Sequence, residues 1–214
     1  MCCPRCGTVP ATPVPQCAAC GFHVGEVQQL LGTSNVKVER LIDHAGCLSL
    51  RDTHYLNLML DDLERRFPQI FISVFLGSLP SQVNAPQAAF WLLNHGTAVR
   101  HEQSKPGHWG IALVLDLTQK HAGLSLGYSI EALLEPQAAD TLLQRALPHF
   151  AHGEHARGVT ALVSELDAQL QRRGRSRSRA IPSGDSQPHL GLEPLTPAPP
   201  PAPRLAGTLP PRRR

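Results

Sequence analysis

The stretch QIFISVFLGSL (Gln69–Leu79) is a nearly continuous run of apolar, β-branched and aromatic residues. A strand with one face in water alternates polar and apolar side chains. A run without that alternation reads as a central strand covered on both faces, as in parallel sheets flanked by helices. A second run of this kind, GIALVLDL (Gly110–Leu117), is followed by the polar turn TQKH and an alternating segment, AGLSLGY (Ala122–Tyr128), and the pair reads as a hairpin.

Helix signals surround these strands. Ser49 and Asp52 form a capping box that opens a helix from about Leu50 to Arg66, with Tyr55, Leu56, Met59, Leu60 and Leu63 on its inner face. Asn84 and Gln87 form another around Pro86, opening a helix to about Val99. Glu135 stands as a cap before Pro136 at a first helical position, with the helix running to about Leu147. A last helix over about Glu154–Arg173 puts Val159, Leu162, Val163, Leu166 and Leu170 on one face. Upstream, VKVERLIDHAGCLS (Val36–Ser49) alternates as a strand and breaks at Gly46. The order βαβαββαα predicts a small α/β layer protein with a mixed sheet.

The 214 residues allow one ordinary domain plus appendages, and 42% hydrophobic content supplies a core. The net charge of +3 conceals a division. Residues 1–171 carry 11 Lys/Arg against 15 Asp/Glu, a balance of −4, whereas residues 172–214 carry nine Arg against Asp185 and Glu193, a balance of +7. A mildly acidic body with a basic tail suits contact of the tail with anionic surfaces better than a whole domain built for nucleic acid. Ten prolines fall in Ile181–Arg214, and this Pro-, Ser- and Arg-rich composition predicts disorder. No stretch approaches the roughly 20 apolar residues that span a bilayer, and the N-terminus lacks an apolar run of signal-peptide type. The expected setting is the cytoplasm, where thiols stay reduced.

Five of the six cysteines lie in the first 20 residues. Cys3, Cys6, Cys17 and Cys20 form C-x2-C-x10-C-x2-C, and each pair is followed by a glycine, Gly7 or Gly21, where a metal knuckle needs positive φ. Two residues between thiols let both sulfurs converge on one ion, and two such knuckles make the four-thiolate tetrahedron that structural zinc takes. Two disulfides, an iron–sulfur cluster and coincidence are the competing readings. The absence of an export signal argues against the first, and the spacing is nearer to zinc ribbons than to ferredoxin runs. Four thiolates close the metal shell, so such a zinc would fold the leader rather than do chemistry. Cys2 stands outside the register. The domain boundaries expected are a ribbon over 1–25, an α/β domain over 34–173 and a disordered tail over 174–214.

Four segments of the body resemble the TPM domain family, named after thylakoid, photosystem-repair and nematode membrane members. IDHAGCLS (Ile42–Ser49) resembles its Asp-x-Ala-Gly-Leu-Leu-Ser opening, and WGIALVLDL (Trp109–Leu117) its Asn-Gly-Val-Leu-Leu-Leu strand. LGYSIEALLEPQAAD (Leu126–Asp140) resembles its Gly-Tyr-Gly-Leu-Glu segment and the helix start after it, and PHFAHGEHARGV (Pro148–Val159) its Pro-x-Phe-x-x-Gly-Asp-Tyr-x-x-Gly segment. The resemblance covers about Val36–Leu170 and implies a three-layer α/β/α sandwich. It also implies activities reported within the family: phosphatase action, binding of a divalent cation such as calcium or magnesium at an acidic pocket beside the Gly-Tyr-Gly segment, and assembly or repair of membrane complexes. The positions carried over are Asp43 and Glu131, with Asp116 at its strand end as an addition. This chain departs from the family at His108-Trp109-Gly110, where the family has Asp-Asn-Gly, and the lost carboxylate is a hard oxygen ligand of the kind those cations need.

Other candidates are weaker. No Cys-x5-Arg loop, Arg-His-Gly nucleophile or aspartate nucleophile pair is present, and Arg51 follows Cys47 two residues too early, so Cys47 reads as a packing residue. His149, His152 and His155 recur every third residue, but Gly153 interrupts any shared helical face. The first functional expectation is a noncatalytic binding or assembly module with a protein partner, with the ribbon as a second docking surface. The alternatives are a metal-assisted phosphatase acting on phosphomonoesters through Asp43 and Glu131, and weak nucleic-acid association through the ribbon and the arginine tail.

Overall fold

The central sheet grows outward from the apolar runs. In the computed structural model, which describes residues 3–9, 15–34, 36–98, 107–135 and 137–179 (backbone alone for 97, 98, 107 and 174–179), strands β1 (Val36–Val38), β2 (Leu41–Asp43), β3 (Phe71–Gly77), β4 (Gly96–Ala98), β5 (Gly110–Asp116) and β6 (His121–Leu126) form two sheets. The main sheet has the order β2-β3-β5-β6, with β2, β3 and β5 parallel and β6 antiparallel to β5. The small one pairs β1 with β4 in parallel. Every residue of β5 is buried, as expected of a strand between two helix layers.

The helices are α1 (Val24–Leu31), α2 (Leu50–Arg66), α3 (Ala85–His95), α4 (Tyr128–Leu133), α5 (Ala138–Ala151) and α6 (His155–Arg179). Side chains alternate across the sheet and divide the core in two. Ile72, Val74, Leu76, Ile111, Leu113 and Leu115 pack with Leu56 and Leu60 of α2, Leu142 of α5 and Leu162 and Leu166 of α6. On the other face Ala112 and Val114 meet Ala85, Ala88 and Ala89 of α3. The result is the three-layer α/β/α sandwich with a mixed sheet that the sequence predicts. Residues 1–180 make one unit that includes the cysteine leader.

Several elements differ from expectation. The alternating run Val36–Asp43 is two strands in two sheets, because the chain bends at Arg40, whose guanidinium is buried against Asp61 and Glu64 of α2. Helix α2 has the predicted ends, and the Ser49 hydroxyl caps it by accepting from the Asp52 amide at 3.1 Å. Its Tyr55 does not face the core and is 54% exposed, since the buried stripe runs through Leu56, Leu60 and Leu63. Helix α3 opens on the predicted Asn84–Gln87 capping box but stops at His95 instead of Val99. There Gly96 turns the chain into β4, and a Cβ at that position would lie 2.4 Å from the Leu92 carbonyl oxygen and 2.7 Å from Val38. The predicted cap at Glu135 is not used. Gln137 precedes α5 without a side-chain cap, α5 continues to Ala151, and Pro136 lies outside the described residues. Helix α6 runs to Arg179, six residues past the expected end at Arg173. The disorder expected over 174–214 therefore meets a helical backbone through Arg179, and the rest of that segment lies outside the described residues. Among the described residues no helix is long and apolar enough to cross a membrane.

Candidate metal centre and the acidic residues

Two short turns with one hydrogen-bond pattern bring the cysteines together. In the first, the Gly7 amide donates to the Cys3 carbonyl at 2.9 Å and the Cys3 amide to the Thr8 carbonyl at 2.9 Å. In the second, Gly21 donates to Cys17 and Cys17 to Phe22, each at 2.8 Å. Both glycines take φ of +73°, a conformation that L side chains resist and glycine adopts freely. The turns face each other, with Cys3 Sγ 3.7 Å from Cys20 Sγ and Cys6 Sγ 3.7 Å from Cys17 Sγ. All four sulfurs lie within 4.8 Å of one another, and among the described residues this is the one group of His, Cys, Asp and Glu side chains placed to hold an ion. All four thiols are free, and the spacing is far beyond the roughly 2.05 Å of a disulfide. A tetrahedron with metal–sulfur bonds of about 2.3 Å has edges of about 3.8 Å, so the donor set fits a four-thiolate metal.

The four thiols sit in unequal electrostatic surroundings. Hydrogen bonding to the side chain and backbone of Thr8 holds the Cys6 thiol down to about 6. The Phe22 backbone favours the Cys20 thiolate, yet burial and the neighbouring sulfurs of Cys6, Cys3 and Cys17 outweigh it and push that thiol up to about 12. Sulfurs this close share protons rather than ionise together, and a divalent ion displaces those protons.

The cysteine leader is fastened to the body by α1, an element the sequence pattern does not announce. His23 caps α1, its Nδ1 accepting from the Gly25 amide at 2.9 Å, while Glu26 reaches back to the His23 amide. Histidine lies outside the usual Ser, Thr, Asp and Asn caps, although Val24, Val27 and Leu31 carry the helical spacing. Cys3, Phe22 and Val27 are buried in one cluster with Trp91 of α3. The Trp91 indole donates to the Gly32 carbonyl at 2.8 Å and stacks on His95 at 5.3 Å, and Phe22 sits edge-on to Phe90 at 6.2 Å. Arg5 lies over the Phe22 ring and pairs with Glu26, so its charge is neutralised within the ribbon.

The three acidic candidates do not meet. Asp43 ends β2 beside Leu76, and Asp116 ends β5 beside Gly77, so both lie at the carboxyl edge of the parallel strands. Strand β6 returns antiparallel, its Leu126 opposite Ile111, and the Gly127 amide donates to the Gly110 carbonyl at 2.8 Å. Glu131, in the first turn of α4, therefore starts from the amino edge, a strand length of about 20 Å away. Asp43 and Asp116 are themselves separated by β3, which puts their strands about 10 Å apart.

Both aspartates serve the backbone. The Asp43 carboxylate accepts from the Cys47 amide at 3.1 Å and the Leu48 amide at 2.8 Å. Partial burial opposes its ionised form, but the Leu48 and Cys47 amides, the Cys47 thiol and the Gly46 backbone outweigh burial and hold it below the usual carboxylate range. Asp116 is fully buried and accepts from the amides of Thr118 and Gln119, at 3.0 and 3.2 Å, and from the Gln119 side chain at 2.9 Å, which closes the β5–β6 turn. Cys47 is pushed up to about 11 by burial and by the adjacent Asp43 carboxylate, the state of an inert packing thiol.

At the amino edge His108 packs near Tyr128, ring centroids 5.9 Å apart, in the place where the family resemblance expects a carboxylate. His149 pairs with Glu154 at 3.0 Å and His152 bonds the Pro148 carbonyl at 2.7 Å, so these histidines serve the turn between α5 and α6. A cleft of about 380 Å³ between the start of α5 and the end of α6 is lined by Glu135, Glu165, Arg172 and Arg173 with Thr141 and Gln169, a balanced set of charges.

Comparison with known proteins gives one family: the TPM domain matches residues 41–169. No curated protein matches the chain. Among solved structures, the chain is similar to the BA42 protein of the psychrophilic bacterium Bizionia argentinensis at 13% identity and a TM-score of 0.50, covering 61% of this chain and 86% of that one. It is also similar to the N-terminal domain of the cg2496 protein of Corynebacterium glutamicum at 18% identity and a TM-score of 0.47, covering 69% and 84%. The N-terminal domain of a P. gingivalis protein gives 24% identity and a TM-score of 0.44, covering 61% and 83%. The likeness to the first concerns the fold alone.

Proposed function

The chain belongs to the TPM domain family, and on that premise we propose that it is a noncatalytic binding and assembly module whose N-terminal ribbon holds a structural zinc ion. The observation that carries the noncatalytic reading is the engagement of Asp43 and Asp116: Asp43 gives its two carboxylate oxygens to the Cys47 and Leu48 amides, Asp116 gives one to the Thr118 and Gln119 amides and the other to the Gln119 side chain, and the two stand on strands separated by β3 rather than paired for a divalent cation. Cys47 supplies no reactive thiolate. Zinc is the metal that four thiolates at tetrahedral spacing select among common divalent ions, and once bound it has no open position for water or substrate. The ribbon residues, Cys3, Cys6, Cys17 and Cys20, would hold it and contribute folding energy through it.

The charge pattern supports a protein partner at the ribbon. Residues 1–36 contain one basic residue, Arg5, and one acidic residue, Glu26, and these two pair with each other. Such a surface offers nothing to phosphate. A reduced tetrathiolate also suits a reducing compartment, which favours the cytoplasm.

The test is direct. Purified protein is analysed for metal, then assayed on p-nitrophenyl phosphate with added magnesium or calcium, beside Asp43→Ala. The expected result is one zinc per chain and no turnover above background in either protein. Turnover that disappears in a folded Asp43→Ala variant would establish the phosphatase alternative instead.

A further inference from the structure

Beyond Leu170, the last residue of α6 that is buried among those whose side chains are described, the helix continues for nine residues, through Arg179. The sequence of this extension is Gln-Arg-Arg-Gly-Arg-Ser-Arg-Ser-Arg, with five arginines between positions 172 and 179, no acidic residue and no apolar one. We propose that this C-terminal end of α6 is a binding surface for double-stranded nucleic acid, engaging its phosphates by charge without reading sequence.

Three observations point to that partner. The first is a concentration of arginines on a regular helical scaffold. Arg172 and Arg173 pair with Glu165 and Glu135 at 3.2 and 3.9 Å, yet their side chains are 58% and 47% exposed. For Arg175, Arg177 and Arg179 the positions three and four residues earlier hold no Asp or Glu, so the intrahelical pairing that neutralises a surface arginine is absent from the sequence.

The second is what the extension lacks. It has no aromatic residue, and single strands are bound largely by stacking on aromatic platforms. It has no apolar residue either, and a helix without an apolar face does not insert into a bilayer interface. The third is size. An α-helix about 10–12 Å across fits a major groove about 12 Å wide, and eight residues rise about 12 Å, the span of three to four phosphates along one strand. The ribbon takes no part, because its single arginine is paired with Glu26. The mildly acidic body opposes a polyanion, so the contact is confined to the helix end and depends strongly on salt.

The experiment uses the full chain and a fluorescent DNA duplex of about 20 base pairs, with anisotropy titrations between about 50 and 200 mM KCl. With all five arginines engaged, the slope of log K against log salt is about −4.5, at about −0.9 per phosphate. Replacing Arg175, Arg177 and Arg179 together by Gln should reduce that slope by about 2.7 and weaken low-salt binding at least roughly tenfold. Its melting temperature and metal content should be unchanged. Deleting residues 180–214 should leave most of the slope in place. An unchanged slope in the triple variant, loss of binding on the deletion alone, or tighter binding to phosphatidylserine vesicles than to the duplex would each overturn the proposal.

Discussion

Removing the metal should release the ribbon from a body that stays folded. The apolar side chains that hold the ribbon are few: Phe22 and Val27 pack with Trp91 around buried Cys3. At about 1.5–3 kcal/mol for each large side chain buried, their contribution is on the order of 5–9 kcal/mol. Structural zinc in a small ribbon contributes about 10–16 kcal/mol at neutral pH. A bound zinc ion would therefore stabilise the leader more than packing does, and the apolar contacts alone would not offset the entropy of ordering two knuckles and α1. Helix α3 has its own support, because Ala85, Ala88 and Ala89 pack on Ala112 and Val114. Chelation, or Cys17→Ser, should thus unfold residues 3–9 and 15–31 while β3 and β5 keep slow amide exchange. Trp91, 8% exposed when docked, reports the event. The chain has two tryptophans, so a Trp109→Phe background isolates its emission, which should move to the red as metal leaves. Amide spectra should lose the dispersed ribbon signals in the same step. If metal analysis reads zero while Trp91 emission and the ribbon amides are unchanged, apolar packing suffices and the reasoning is wrong.

Two further predictions concern the body. Asp43→Ala should cost about 2–3 kcal/mol, since two backbone amides lose a charged acceptor. Because the folded carboxyl is held below its usual range, this contribution is complete above the ordinary carboxylate pKa and is lost as pH falls through the lower folded value. Urea midpoints of the wild type and Asp43→Ala should converge in acid; a constant difference from neutral pH to below about 3 would contradict the role. Gly123→Ala should cost about 3 kcal/mol, the upper part of the range for overpacking, because its Cβ would lie 2.2 Å from the Ala85 carbonyl carbon and the Pro86 nitrogen, where backbone cannot yield. An unchanged melting temperature in that variant would mean that α3 can withdraw from β6 at no cost.

Where the sequence was legible, local and tertiary forces agreed. Helix α2 was bounded correctly because a Ser49 cap and a basic last turn at Arg65 and Arg66 mark both ends of a continuous apolar stripe. Strands β3 and β5 were legible because nothing but burial on both faces explains their composition. Elements whose cause lies elsewhere in the fold were missed. Arg40 breaks the first predicted strand because Asp61 and Glu64 hold its guanidinium from α2, a pairing that no local pattern announces. Helix α4 follows Gly127 with no side-chain cap, and α1 is capped by a histidine. The cysteine spacing was legible for a different reason: metal geometry constrains spacing more tightly than packing does. The acidic residues illustrate the converse. Chain order cannot tell which edge of a sheet a loop occupies, and the antiparallel return of β6 carries Glu131 to the edge opposite Asp43 and Asp116.

The position of α3 bears on what the ribbon is for. A tetrathiolate knuckle on a flexible linker would present a mobile surface, and a partner would bear the cost of ordering it. Here α3 packs its alanines on the sheet and carries Phe90 and Trp91 to the ribbon. The alanines bring α3 so close to β6 that Gly123 has no room for a methyl group, which fixes the helix against the sheet. The four-cysteine cluster is thus held against a helix with little freedom to tilt, through Cys3, Phe22 and Val27 packed on Trp91. A partner that docks there meets a preorganised surface with its one charge pair internally cancelled, conditions that favour recognition by shape over electrostatic steering.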